Sequence, residues 1–190
     1  AIENEQFEMI MMETMERTDK TVSVLNGEYI TIRAGRANPH ILDKVLVDYY
    51  GTPTPINQVG NLSVSEGRCL IIAPWDASML KVIEKQLLAE NLGITPVNDG
   101  KIIRLTFPAL TEERRKEIVK QIKKMAEDSK VAIRNIRRDG MDALKKMKNN
   151  KELSEDEHAT CEKEVDKVIS DAITKIDKLC ADKEKDVLSV

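Results

Sequence analysis

The stretch 111–150, TEERRKEIVKQIKKMAEDSKVAIRNIRRDGMDALKKMKNN, decides the fold: forty residues without a proline. At roughly 100° per residue, Ile118, Ile122, Met125, Ser129, Ala132, Ile133, Ile136, Ala143 and Met147 gather on one side of a single long helix. An apolar stripe of that width calls for a core to cover it. Beside the stripe run Lys116, Lys120, Lys123, Lys130, Arg134, Arg137, Arg138, Lys145 and Lys148, interrupted only by Glu127, and Glu117, Asp128, Asp139 and Asp142 fill the third side. Thr111, followed by Glu112 and Glu113, caps the positive end of the helix with negative charge. Gly140 stands in the interior, at a cost of about 1 kcal/mol, and is where a local bend would fall.

Charge is segregated along the chain. Residues 111–150 hold 13 Lys or Arg against 7 Asp or Glu, a net of +6, while the remainder holds 17 against 26, a net of −9; the two sum to the overall −3. One cationic ridge on an acidic protein is the footprint of a polyanion-binding surface. The competing reading is a solvated helix face with its charges in i,i+4 pairs. Arginine favours the first. Arg134, Arg137 and Arg138, at i, i+3 and i+4, present planar donors that match phosphate oxygens and stack on unpaired bases, and Asn135 adds a neutral donor and acceptor.

Two further amphipathic helices are expected. Residues 4–33 carry Phe7, Met11, Met15, Thr18, Val22, Leu25, Tyr29 and Ile32 at steps of three and four, with the methionines at 9, 11, 12 and 15 read as adaptable packing. After the break at Asn149-Asn150-Lys151, Ser154-Glu-Asp-Glu157 is a capping box opening a helix through Cys161, Val165, Val168, Ala172, Ile173, Ile176, Leu179 and Cys180. Three helices with one apolar face each are stable only together, which predicts a three-helix bundle from residues 1–36 and 109–190.

Between them the period changes. Val45, Val47 and Tyr49 alternate, Gly51-Thr-Pro-Thr-Pro55 supplies turn chemistry, and 58–65 and 68–73 read as strands. Asp76 is the expected N-cap of a helix through Leu80, Ile83, Leu87 and Leu88, and Asn98-Asp-Gly100 joins strands at 94–97 and 101–107. Residues 37–108 are therefore an inserted α+β unit. It hangs on two connections, Ala37-Asn38-Pro39 and Phe107-Pro108-Ala109, where bending as a rigid body is expected.

The chain lacks a P-loop, a nucleophile elbow, a dinucleotide fingerprint and a histidine near a plausible nucleophile, so no enzyme and no cofactor are expected. His40 and His158 have no spaced partners, which argues against a metal. Three cysteines without a framework indicate reduced, cytoplasmic-type usage, and the absence of a long apolar run or leader pattern predicts a soluble chain with no membrane partner. A bacterial-type cytoplasm or an organellar matrix both fit.

Six strings resemble the ribosome recycling factor family, in that family's order: RAGRA at 33–37, DYYGTPTPI at 48–56, LTEERRKE at 110–117, VAIRNIRRDG at 131–140, LSEDE at 153–157 and KEKDVL at 183–188. The resemblance implies an L-shaped molecule, like transfer RNA in outline, whose inserted unit is a small β/α/β sandwich and which works as a non-enzymatic monomer. Its expected partners are large-subunit ribosomal RNA and elongation factor G, whose GTP hydrolysis would drive the bundle against the intersubunit bridges and part the subunits. Carried over by position, it makes Arg134 the central RNA contact, with Lys123, Lys130, Asn135, Arg137 and Arg138 around it. Arg33 and Arg36 at the end of the first helix, and Arg114, Arg115 and Lys116 at the start of the second, join the candidate set. A helical scaffold, or an RNA-binding regulator unrelated to recycling, is the alternative.

Overall fold

The computed structural model describes residues 3–32, 37–90 and 92–188. Three long helices, α1 (Glu5–Thr31), α3 (Glu112–Asn149) and α4 (Glu155–Leu188), pack as a bundle, and a β-sheet unit is inserted between the first two. Two compact units divide the chain: Ala1–Tyr29 with Val119–Lys185, and Ile30–Ile118 with Asp186–Val190. These divisions fall within the three helices, a few residues on the bundle side of the connections.

The starts of α3 and α4 carry the expected chemistry. The Thr111 hydroxyl accepts from the Arg114 N–H at 3.1 Å. Ser154 Oγ accepts from the Glu157 N–H at 3.1 Å while a Glu157 carboxylate oxygen accepts from the Ser154 N–H at 3.0 Å, a reciprocal capping box. Between them, α3 stops through Lys151 in the left-handed region (φ 60°), with the Glu152 N–H reaching the Met147 carbonyl at 2.9 Å.

The buried stripe of α3 is Ile118, Ile122, Ala126, Ile133, Ile136, Leu144 and Met147, with Gly140 among them. It is centred about 40° round from the stripe read off the sequence, which took Met125 and Ala143 in place of Ala126 and Leu144. A similar correction applies to α1: Thr14 is buried and Met15 is exposed. The reason is close packing. A Cβ built on Gly140 would stand 3.6 Å from the Thr14 hydroxyl and 3.5 Å from Val165, so small residues meet where α1, α3 and α4 crowd together. The buried hydroxyls of Thr14 and Thr18 donate to carbonyls of their own helix, Ile10 and Met15. Tyr29 donates to the Ile122 carbonyl at 2.6 Å, and burial pushes its phenol well above the ordinary range.

The inserted unit holds a hairpin, β1 (Leu46–Tyr49) with β2 (Thr52–Pro55), and a four-stranded antiparallel sheet of β3 (Gly60–Ser65), β4 (Cys69–Pro74), β5 (Val97–Asn98) and β6 (Ile103–Thr106), in the order β3-β4-β6-β5. Helix α2 (Met79–Ala89) adds Leu80, Ile83 and Leu87 to a core with Val47, Leu70, Ile72, Ile103, Leu105 and Phe107. The Thr-Pro-Thr-Pro run is a strand and not a turn. It pairs with β1 alone, and an edge strand tolerates prolines that a central one does not. The turn itself is Tyr50-Gly51, both at positive φ. Asp76 does not cap α2 as expected: Ser78 occupies that position, and the Asp76 carboxylate accepts from the Ser78 N–H at 3.0 Å and from the Tyr50 hydroxyl at 2.6 Å. The expected hairpin forms with shifted bounds: Asn98 pairs with Ile103 as a strand residue, β5 is only Val97–Asn98, and the loop is 99–102, where the Asp99 carboxylate accepts from the Ile102 and Lys101 N–H groups, which hold its pKa below the usual range.

Candidate nucleic-acid interface

The cationic side of α3 resolves into two rows that differ by a few tens of degrees. Arg137, Lys130 and Lys123 stand about 60–100° from the centre of the buried stripe, close enough to the neighbouring helix to meet its carboxylates. Arg137 Nε bonds Asp166 at 2.7 Å, Lys130 pairs with Asp177 and lies 3.6 Å from Glu127, and Lys123 lies 3.6 Å from Glu184. The Asp177 hydrogen bond raises the Lys130 pKa against the opposing effect of desolvation. This inner row staples α3 to α4.

At about 120–160° from that centre stand Lys120, Arg134, Arg138 and Lys145, all exposed, in an outer row that also takes in Glu127 and the Glu112-paired Lys116. None of the four has a carboxylate within ion-pair distance among the described residues. Lys120 to Lys145 covers about 37 Å at 1.5 Å per residue. Four unneutralised cations on a rigid rod of that length can contact phosphates over several nucleotides without reading sequence.

The other expected residues fall in several places. Asn135 is exposed but sits about 100° round the helix from Arg134. Arg114 pairs with Glu117 at 2.8 Å, and Lys116 lies 3.8 Å from Glu112. Arg115 is half-buried, its Nε enclosed without a hydrogen-bond partner among the described residues. Arg33 and Arg36 lie outside the described residues.

Of the connection residues, Ala37 and Phe107 belong to the core of the inserted unit. Their N–H groups donate to the Gly67 and Arg68 carbonyls, each at 2.8 Å, so both chain crossings are pinned to one β-turn. Asn38 caps a 3-10 turn beginning at Pro39 by accepting from the His40 N–H. Pro108 and Ala109 follow Phe107 without regular structure.

Lys120 and Lys145 complete the outer row; the sequence places both on the cationic strip, but neither is among the expected RNA contacts. Their helical angle is the signal that finds them, close to that of Arg134 and Arg138. Sequence reading also passed over an exposed aromatic group on the inserted unit: Tyr50 and Trp75 are largely exposed, with Tyr49 packed edge-on against Tyr50 at 4.7 Å.

The proteins that share this fold and sequence are translation factors that work by binding rather than by catalysis. The ribosome recycling factor family model matches residues 25–188, and the chain belongs to that family. A ribosome-recycling factor of Caldicellulosiruptor bescii is 58% identical over 175 residues, covering 92% of this chain and 95% of that protein. One from Streptococcus pyogenes serotype M28 is 55% identical with the same coverage. The solution structure of a ribosome recycling factor superposes with a TM-score of 0.87 at 34% identity, over 98% of this chain and all of the other. A second match, with a TM-score of 0.68 and 39% identity over 96% and 98% of the two chains, is to a structure describing the T. thermophilus ribosome recycling factor and E. coli elongation factor G bound to the E. coli post-termination complex. No described helix is long and apolar enough to cross a membrane.

Proposed function

We propose that this chain, as a monomer in a bacterial cytoplasm, lays its bundle on large-subunit ribosomal RNA of the post-termination ribosome. With elongation factor G and GTP hydrolysis by that partner, it splits the ribosome into subunits. The observation that carries the reading is the division of the cationic strip. Lys123, Lys130 and Arg137 are engaged by α4 carboxylates, while Arg134 and Arg138, with Lys120 and Lys145, are left unneutralised. Unpaired surface cations are common, but four of them aligned on one exposed face of a rigid helix make the positive strip that a polyanion requires.

Arg134 is the central contact, and Arg137 and Lys130 add stiffness more than affinity. Arg33, Arg36, Arg114, Arg115 and Lys116 are secondary contacts, as is Asn135. Residues 1–36 and 109–190 act as the rod, and 37–108 as the lobe that meets the translocase or the small subunit. Ala37 and Phe107 are anchored within the lobe's core, so bending between the parts is taken up on the bundle side of them.

The test is polysome breakdown with elongation factor G and GTP, comparing wild type with Arg134→Ala. The exposed site makes the variant fold normally by circular dichroism, and splitting is lost. Unchanged splitting removes Arg134 from the mechanism, and a factor acting as a scaffold would be indifferent to truncation of Arg134, Arg137 and Arg138 together.

A further inference from the structure

At the end of the bundle away from the family-matched residues of α1, a groove of about 540 Å³ opens between the first turns of α1 and the last turns of α3. Its floor is Met147, buried, with Ile10 and Ala143 partly covered. Its lip is Met9 and Met12, 69% and 71% exposed. Such exposure of large apolar side chains has no packing role, and methionine, unbranched and polarizable, moulds itself to varied partners. The rim is acidic: Glu13, Glu16 and Glu152 against Lys146 alone. The first sixteen residues hold five Glu and neither Lys nor Arg, so the α1 wall of the groove is acidic, with Lys146 the one cation lining the α3 wall.

We infer that this groove binds a cationic polypeptide segment, one that sets two or three large apolar side chains onto Met9, Met12 and Met147 while its Lys or Arg side chains face Glu13, Glu16 and Glu152. Charge complementarity selects the occupant. An RNA backbone would bring phosphates against three carboxylates, whereas a basic amphipathic peptide satisfies floor and rim together. The site would give the molecule a protein contact at the bundle end beside an RNA contact along α3.

The experiment uses the full chain labelled at its methionine methyls, titrated with a synthetic peptide that repeats Lys-Leu-Ala-Lys-Lys-Leu-Ala twice. Expected are saturable shifts at Met9, Met12 and Met147, with Met79 in the inserted unit unmoved. Replacing the peptide's leucines by serine weakens binding about tenfold, as does Glu13→Lys combined with Glu16→Lys, two exposed positions whose exchange leaves the fold intact by circular dichroism. Equal binding of the serine peptide, equal binding by the double variant, equal movement of Met79, or displacement of the Met9 and Met12 methyls by an RNA hairpin would each overturn the inference.

Discussion

Gly140→Ala is expected to stabilise the bundle. Glycine in a helix interior is worse than alanine by about 1 kcal/mol, because it surrenders more backbone freedom on folding. Whether that gain is realised depends on what the new methyl meets. At Gly140 it meets the Val165 side chain at 3.5 Å and the Thr14 hydroxyl at 3.6 Å, ordinary van der Waals separations that require no neighbour to move. Burying the methyl at a site already closed to solvent adds a fraction of the roughly 0.8 kcal/mol typical of one carbon. Together these give about 1–1.5 kcal/mol, or roughly 2–5 °C in Tm for a chain of this size. Far-UV circular dichroism during thermal melting reports mainly the three long helices and is the suitable assay. A lower Tm would refute the reasoning, since it would mean that α1 and α4 approach α3 at this level more closely than the geometry shows.

Gly60→Ala should do the reverse: its Cβ would fall 2.7 Å from the Ala73 carbonyl oxygen, a rigid neighbour, so a drop in Tm and loss of β3–β4 amide protection are expected in hydrogen exchange. Ser154→Ala removes one half of the capping box and should lower stability by about 1 kcal/mol, read from the urea midpoint. Burial pushes the Cys161 thiol up to about 11, so the unfolded chain releases this proton first and the folded chain binds more protons between about pH 9 and that value. Stability should therefore fall as pH rises through that window. Cys161→Ala, compared by urea titration at each pH, should show a shallower fall, and an identical pH profile would contradict the burial argument.

The bundle was legible because each helix carries an apolar period and two of the three also carry a start signal. The capping box at Ser154 and the Thr111 cap both form as read. What sequence does not carry is the closeness of approach between neighbours. Met15 is more apolar than Thr14, yet Thr14 is inside because it faces Gly140, where α1 comes close to α3. The same limit hid the two rows of cations. Lys123 and Arg134 differ by only about 20° on the wheel, and only the placement of Glu184, Asp177 and Asp166 on α4 separates the paired from the unpaired. In the inserted unit, the Thr-Pro-Thr-Pro strand was obscured because proline is a turn residue everywhere except at a sheet edge, and edge status depends on which strands pair.

The most direct test of the unpaired row is the salt dependence of binding to post-termination ribosomes. Arg134→Ala with Arg138→Ala removes two phosphate contacts and should reduce the slope of log Kd against log salt by about 1.5, at 0.7–0.9 per phosphate. Lys123→Ala with Arg137→Ala, which removes the same charge from side chains already held by α4, should change the slope by less than half as much. Equal slopes for the two pairs, or a larger loss from the inner pair, would contradict the assignment of RNA binding to the outer face of α3.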